Sequence, residues 1–361
     1  MYNGFYNNRR VFVTGHTGFK GAWLCLWFHS LGARVTGYAL DPPTDPSLFM
    51  LCSIDELVTS IRGDVRNLAP LAEALRAADP EIVIHMAAQA IVRDSYDDPV
   101  ATFSTNIMGT VNLLEAVRHV PSVKAVIVVT TDKCYENREW VWGYRENEPL
   151  GGHDPYSSSK ACAELVAAAY RRSFFTASPQ DPEGSGQPHL ATARAGNVIG
   201  GGDWAKDRLI PDCVRALSAG EKLLIRHPSA VRPWQHVLEP LTGYLMLAAR
   251  LCSEGASFAD AWNFGPSEED ARPVGWIVER LATTIPGFAW EKDGRLQPHE
   301  ASHLRLESSK ARARLGWRHR WPLETALDKT MAWYEAWRQG GNMREVSLRQ
   351  IADYENCLGA L

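Results

Sequence analysis

VFVTGHTGFKGAW, residues Val11 to Trp23, sets three glycines three residues apart between an apolar, β-branched run and a helical one. RVFVT, from Arg10 to Thr14, reads as a short buried strand, and GAWLCLWFHSLG as the helix that follows. Gly15, Gly18 and Gly21 occupy the turn between them. Glycine there lets the backbone turn tightly and approach a diphosphate, whose charge meets the free amide groups at the helix N-terminus. By itself the spacing is a weak signal, because a structural turn uses the same residues. Its place after a strand and at the opening of a helix makes it a dinucleotide-binding prediction.

Working outward, ARVTGYAL, LVTSIRGD, EIVIHMAA, KAVIVVTT and LATARAG each read as strands, most of them separated by helical stretches. Unbroken apolar strands alternating with helices predict a parallel sheet covered on both faces. The fold class is therefore α/β: a Rossmann-type doubly wound parallel sheet with a smaller C-terminal mixed α/β substrate domain. We expect the first domain over residues 1–195, with roughly 233–265 returning to it, and the second over 196–361. TASPQDPEGSGQPH, from Thr176 to His189, reads as a surface loop, since a core-like strand follows it.

Asp41 ends the second strand about 20 residues past the last glycine, where a carboxylate accepts hydrogen bonds from ribose hydroxyls and repels a 2′-phosphate. That favours NAD over NADP, although Lys20 and Arg62 carry the opposite charge nearby in sequence. Asp64 after the third strand could face the adenine edge or could belong to a helix N-cap region. Ala87 and Ala88 end the fourth strand with little bulk, so a flat cofactor could lie against them.

The bulk numbers exclude several classes. The chain has 361 residues, 45% hydrophobic and 22% charged, with a net charge of -4, which gives no reason to expect nucleic acid or an anionic membrane as partner. Its 7 cysteines include no CxxC pair and no metal-like Cys/His spacing, so no metal is expected, and reduced thiols in the cytoplasm are. MYNGFYNNRR lacks the apolar core of a signal peptide, and no run is long enough to span a bilayer.

Two further stretches carry chemistry. DPYSSSKACAE puts Tyr156 and Lys160 four apart at the start of a helix, on one face. The ammonium of Lys160 and a nearby nicotinamide cation would favour the phenolate of Tyr156, which can then take a proton from a hydroxyl while hydride leaves the same carbon. TTDKCYEN, from Thr130 to Asn137, sets Asp132 beside Lys133 where a buried strand ends. A surface ion pair is the plain alternative there, as an ordinary amphipathic helix is for Tyr156 and Lys160.

With Gly15, Gly18, Gly21, Asp41, Tyr156 and Lys160 in place, the chain resembles the extended short-chain dehydrogenase/reductase family over nearly its whole length. The resemblance implies a nucleotide-diphosphate sugar as substrate and a homodimer through a helix bundle, possibly paired again into a homotetramer. It extends the cofactor-binding set to Thr17, Phe19, Lys20, Val65, Gln89 and Asn106, alongside Tyr156 and Lys160, and gives Thr131 a share in binding the reacting hydroxyl. Within this family the sugar-nucleotide 4,6-dehydratases carry an acid directly after that threonine and then a second charged residue; many have Asp-Glu where this chain has Asp132 and Lys133. The resemblance implies Asp132 as the acid that protonates the departing C6 hydroxyl and Lys133 as the base that removes the C5 proton. Both can face the sugar only if the chain leaves the strand at that point, which the turn-like DKCYEN allows. Burial under a bound substrate would favour the neutral acid and the neutral amine.

The longest matching stretches, TTDKCYENREWVWGYRENEPLGGHDPYSSSK, RAGNVIGGGDWAKDRLIPD and RPWQHVLEPL, are similar to the CDP-glucose 4,6-dehydratases, which implies CDP-glucose as substrate. Asn197 at a strand end could bond a diphosphate or a sugar hydroxyl, and Arg208, Arg232 and Arg305 could bind phosphate oxygens bidentately. Leu209 and Ile210 belong to the same matching segment. For Arg208 a surface role is equally open, and Trp204, one of 13 tryptophans, could pack on the substrate or simply on the protein. Nothing in composition or spacing reads cytosine. A dehydratase or 4-epimerase of another nucleotide sugar, a net sugar dehydrogenase and a non-catalytic nucleotide sensor are the competing readings.

Overall fold

The alternation of apolar residues builds the sheet. The computed structural model describes residues 2, 4–176, 186–295 and 303–358; most of the loop predicted over 176–189 lies outside them. Six strands, β1 (Arg10–Thr14), β2 (Arg34–Ala39), β3 (Thr59–Arg62), β4 (Ile82–His85), β5 (Ala125–Val129) and β6 (His189–Arg194), pair in parallel. A seventh strand, Ala261–Asn263, adds in parallel to β6, and the order across the sheet is 261–263, β6, β5, β4, β1, β2, β3. The Rossmann-type α/β prediction is borne out. Every residue of β4 and β5 is buried, as a sheet covered on both faces requires. Successive side chains point to opposite faces, so Val11, Val13, Ile82, Ile84, Ile127 and Val129 join one core while Phe12, Val83, Val126 and Val128 join another.

Helices α1 (Phe19–Ser30), α2 (Leu68–Ala78), α3 (Gly109–Val117) and α4 (Pro155–Ser173) connect these strands. From β1 the chain adds strands to one side and from β4 to the other, so a crevice opens at their carboxyl ends at the point of reversal. Beyond residue 196 the chain forms α5 (Leu209–Ala219) and short strand pairs, among them Leu223–Ile225 with Trp290–Lys292. It then sends α6 (Leu238–Glu254) back to pack on β5 and β6 before the strand 261–263 joins the sheet.

The helices α7 (Leu323–Arg338) and α8 (Met343–Leu358) pack on each other, α7 against the strand pair Val198–Ile199 and Gln235–His236 and α8 against α1, a placement the sequence reading did not foresee. Their placement explains why GAWLCLWF is apolar on every side: the sheet covers one flank of α1 and α8 the other. All residues from Gly21 to Phe28 are buried, Trp27 Nε1 donates to Glu355 at 2.7 Å, and the Tyr354 ring meets Trp27 edge-on. Arg344 of α8 donates to the Cys52 and Ser53 carbonyls at 2.7 and 2.9 Å.

One buried carboxylate ties this packing to α6. Glu239, 0% exposed, accepts from the Arg320 and Trp321 amides at 3.1 and 2.7 Å and from the Tyr354 hydroxyl at 2.7 Å. Burial pushes its carboxyl up to about 7, against the pull of those donors. A group raised in the folded state favours folding below its unfolded pKa, and that contribution is lost as pH climbs through the folded value. Stability therefore falls between about pH 4.5 and 7, by about 3 kcal/mol from this group. Denaturant titrations should show Glu239→Gln flattening the curve over that window; an unchanged slope would remove Glu239 as its source.

Candidate active site

A cleft of about 1120 Å³ runs along the carboxyl ends of the strands and is lined by Asp41 and Asp64, the glycine loop, the β5 and β6 ends and the short strands Leu223–Ile225 and Val231–Pro233. That exceeds the roughly 300–1,000 Å³ of an ordinary single-ligand pocket and suits two ligands meeting end to end. The glycine loop is closed by sterics. Gly15 has φ +74°, and a Cβ there would stand 2.7 Å from the Ala87 amide nitrogen; a Cβ on Gly21 would stand 2.1 Å from the Gly15 carbonyl oxygen. Only glycine allows this approach, and α1 begins with its amides facing the cleft.

Thr17, Phe19, Lys20, Val65, Ala87, Ala88 and Gln89 line the same half, and Gln89 Oε1 is buried with no hydrogen-bond partner. Asp41 is exposed and pairs with Arg62 at 2.8 Å, so the arginine complements that carboxylate. Asp64 is engaged by Arg66, accepting from its amide at 2.9 Å and from its guanidinium at 2.6 Å, and this bonding holds its carboxyl below the usual range. Lys20 points away from both: its Nζ donates to the Tyr244 hydroxyl at 3.0 Å. Burial and the charges of Lys160 and Arg208 push it down to about 7. Asn106 does not line the cleft. It lies 1% exposed behind Gln89, accepting from that residue's amide at 2.9 Å and donating to its carbonyl at 3.0 Å, because the polar backbone leaving β4 needs partners there. It supports the wall from behind.

The residues expected to carry the reaction converge where β5 ends. Asp132–Cys134 forms one 3-10 turn directly after the strand, so Asp132 and Lys133 escape the strand alternation and both line the cleft. The Thr131 hydroxyl caps the turn, accepting from the Lys133 amide at 3.3 Å and donating to Asp132 Oδ1 at 3.0 Å. Asp132 is 1% exposed and its Oδ2 has no partner. Gly196 at the end of β6 makes room for that oxygen, since a Cβ there would stand 2.0 Å from it. Among the described residues no ion pair joins Asp132 to Lys133, so the surface salt bridge is not what places them side by side.

Tyr156 and Lys160 enter from the first two turns of α4, whose start is fixed by Asp154 accepting from the Ser157 amide at 2.9 Å and by Pro155 in the first turn. Burial pushes the Tyr156 phenol up to about 12, with the Thr131 hydroxyl pulling it down. Lys160 does not approach the phenol as a direct partner; its Nζ donates to the Val129 carbonyl at 3.0 Å, and burial brings it down to about 8. In the protein alone, therefore, the tyrosine is a phenol: desolvation outweighs the pull of Thr131 and Arg208, and Lys160 is engaged at the Val129 carbonyl instead.

One turn further along α4, Glu164 anchors the whole assembly. It accepts from the Thr130 and Thr192 hydroxyls at 2.5 and 2.7 Å and from Arg194 Nε and Nη2 at 2.9 and 2.8 Å, with both side chains of the ion pair 3% exposed. Arg194 also donates to the Tyr135 hydroxyl at 2.7 Å. Thr130 and Tyr135 bracket the catalytic turn, so it is pinned from both ends. Such buried networks specify one arrangement because every member is satisfied.

On the substrate side Asn197, Trp204, Arg208, Leu209, Ile210 and Arg232 all line the cleft. Asn197 Oδ1 is buried without a partner, and Arg232 is 3% exposed. Arg208 pairs with Asp203 at 2.9 Å and is close enough to pull on the Tyr156 phenol. Trp204 packs chiefly on protein: its ring meets Tyr334 and Trp337 of α7 with centroids 5.2 and 4.6 Å away. Arg305 is corrected. It lies in a separate small hollow with Gly143 and Pro266, where its carbonyl accepts from the Tyr144 amide, because residues 304–306 pair with the chain near Tyr144 and are drawn away from the cleft. The sequence reading missed Gly196, Tyr244 and the charged group around Arg226; a glycine after a strand end was the one signal it could have used.

A Rossmann sheet, a glycine loop and a Tyr/Lys pair facing an acid and an amine define a nucleotide-sugar enzyme of the extended short-chain dehydrogenase/reductase class. The sequence model described as GDP-mannose 4,6 dehydratase matches residues 12–250. The chain is 55% identical to the CDP-glucose 4,6-dehydratase of Salmonella typhimurium, over 97% of each chain, and 26% identical to a dTDP-glucose 4,6-dehydratase of Xanthomonas campestris pv. campestris, over 91% of this chain and 94% of that one. Among solved structures, the dTDP-glucose 4,6-dehydratase of Bacillus anthracis in complex with NAD superposes with a TM-score of 0.74 at 22% identity, covering 93% of this chain and 99% of that one. This chain belongs to the GDP-mannose 4,6 dehydratase family.

Proposed function

We propose that the protein converts CDP-D-glucose to CDP-4-dehydro-6-deoxy-D-glucose with a bound NAD, a hydro-lyase reaction that releases one water. The observation that carries this is Asp132, buried with a bare Oδ2 beside Lys133 and Tyr156 in the cleft. A simple dehydrogenase needs the tyrosine but has no use for the acid and the amine. The cytidine preference rests on the 55% identity to an enzyme named for CDP-glucose.

The residues present fit the cofactor: the Gly15–Gly21 turn admits a diphosphate, Asp41 suits the adenosine ribose, and Gln89 offers a buried, unpartnered acceptor along its other half. When bound, NAD would supply a reversible hydride store between C4 and C6 of the sugar. Tyr156, with Thr131 sharing the hydrogen bond, takes the proton of the C4 hydroxyl. The resulting ketone acidifies the C5 hydrogen, which Lys133 removes. Asp132 protonates the C6 hydroxyl, the C6–O bond breaks to release water, and as hydride returns at C6 the Lys133 ammonium gives its proton back to C5. Arg208, Arg232 and Asn197 hold the diphosphate and sugar so that C4 faces Tyr156.

The exposed apolar residues Val100, on the helix Pro99–Phe103, and Leu165, on the adjoining α4, support a homodimer or a pair of dimers. Light scattering should give two or four times 40.1 kDa; a monomer would overturn it. No described helix is long and apolar enough to cross a membrane. With all seven cysteines free we place the protein in the cytoplasm, its product supplying 6-deoxy and 3,6-dideoxy sugars for surface polysaccharide.

Incubation of purified protein with CDP-glucose deuterated at C4, followed by mass spectrometry, tests the reading. Loss of one water with the label moved to C6 in the same molecule supports it. Water loss without label transfer would overturn the hydride return, and turnover confined to another nucleotide sugar would overturn the cytidine assignment.

A further inference from the structure

The cleft has two polar stations on its substrate side, and they differ in character. The first, Arg208, bears electrostatically on Tyr156 and so stands close to the reacting sugar. The second surrounds Arg226, which follows the strand Leu223–Ile225 and lines the cleft with it. There Arg226 Nη1 donates to Asp207 Oδ1 at 2.8 Å. Asp293 stands beside it, since the Asp293 amide donates to the Ile225 carbonyl at 2.9 Å where the two short strands end. Asp212, on the first turn of α5, lines the same wall.

Arg226 acts on all three carboxylates. Burial and the bonds to Arg93 come first for Asp207, burial and Arg215 for Asp212, and the Arg295 bonds for Asp293; in each case the Arg226 charge then adds a downward pull. Arg93, Arg215 and Arg295 flank the cluster from the helix Val92–Asp97, from α5 and from the chain after Trp290–Lys292. A diphosphate needs cations alone. A station that alternates guanidinium with carboxylate matches a ligand whose edge alternates acceptor with donor.

The nucleoside end of a bound sugar nucleotide is the part farthest from the reacting carbon, and this station, which holds none of Thr131, Asp132, Lys133 or Tyr156, is where we seat it. Cytosine presents an amine donor at C4 and acceptors at N3 and O2. Uracil and thymine present an acceptor at C4 and a donor at N3, the reverse at two of the three places. Guanidinium only donates and carboxylate only accepts, and an acidic side chain accepting from the cytosine amine is a known pairing.

We propose that Arg226 reads the base, giving its hydrogen bonds to N3 and O2 of cytosine while a carboxylate beside it accepts from the amine, and so makes the cleft select cytidine over uridine and thymidine diphosphate sugars. This rests on the proposed dehydratase reading and supplies the nucleotide choice that the sequence did not.

The test is kcat/KM for CDP-, UDP- and dTDP-glucose with the wild type, Arg226→Met and Arg226→Lys. In Arg226→Met, kcat/KM for CDP-glucose should fall about 10- to 100-fold through KM, with kcat nearly kept and the other two sugars unaffected, so that the preference collapses by the same factor. Arg226→Lys should not restore it, since an ammonium lacks the planar fork. An equal fall for all three sugars, or full rescue by lysine, would make Arg226 a phosphate or packing residue and overturn the proposal. Should Arg226→Met fail to fold, Arg226→Gln carries the same comparison. Wild-type protein that ignores CDP-glucose would overturn the dehydratase reading in the same assay, separately from any variant.

Discussion

Tyr156→Phe stops the reaction before any reduced nicotinamide forms, with kcat lower by about 10²- to 10⁴-fold, the usual weight of a positioned proton-transfer group. The side chain keeps its ring, its place on α4 and its packing, so cofactor binding and stability are retained. Stopped-flow absorbance at the reduced nicotinamide band after mixing with CDP-glucose reads the first step directly. The pH profile separates a chemical role from a packing one. Burial sets the phenol at about 12 in the protein alone, so the rate of C4 oxidation climbs with pH across the neutral range as the reactive phenolate becomes accessible. The phenylalanine variant loses that climb along with the rate. A variant that still forms reduced cofactor at the wild-type rate would remove Tyr156 from the chemistry.

Lys133→Ala should fail later. The C4 ketone forms and reduced cofactor appears, but the C5 proton stays in place, so absorbance accumulates to about one equivalent per site while dehydrated product lags by about 10²- to 10⁴-fold. The turn survives the change because Thr131 holds the Lys133 backbone amide rather than its side chain. Exchange of the C5 hydrogen with deuterated solvent, followed by mass spectrometry, should be lost in step with the product. Wild-type turnover by the variant would assign proton removal to another group, and absence of reduced cofactor would show that Lys133 serves the first step.

These two outcomes hang on residues that were legible from local spacing. A glycine loop between strand and helix, and a tyrosine and lysine one turn apart, are short-range patterns, and the backbone geometry they require is local. Asp132 and Lys133 were readable as a pair but not as a geometry: the strand alternation separates them, and only the 3-10 turn after Val129 lets both enter the cleft. What the sequence could not give were the long-range partners. Trp204 was open to substrate or to protein packing, and its contacts with Tyr334 and Trp337 of α7 show the second. Asn106 stands behind the wall because the polar backbone near Gln89 needs a partner, which spacing does not reveal. Arg305 is pulled from the cleft by its pairing with the Tyr144 segment. Lys160 is held by the Val129 carbonyl, so burial, a property of the assembled fold, governs the tyrosine it was expected to tune.

The packing of α7 and α8 also has a meaning for the order in which the protein is completed. Trp333 lies against Gly201, and the Tyr334 hydroxyl donates to the Asp203 carbonyl at 2.5 Å, while Trp23 of α1 holds the Gly201 carbonyl from the opposite side at 2.9 Å. The segment that carries Arg208 is thus gripped between α1 and α7. During synthesis the glycine loop and its strands emerge early, but the grip cannot close until α7 has left the ribosome. The sheet itself waits for Ala261–Asn263 to cover β6. A nascent chain can therefore shape the floor for its cofactor well before it can present a substrate arginine. On the proposed reading, turnover is deferred until α7 is in place.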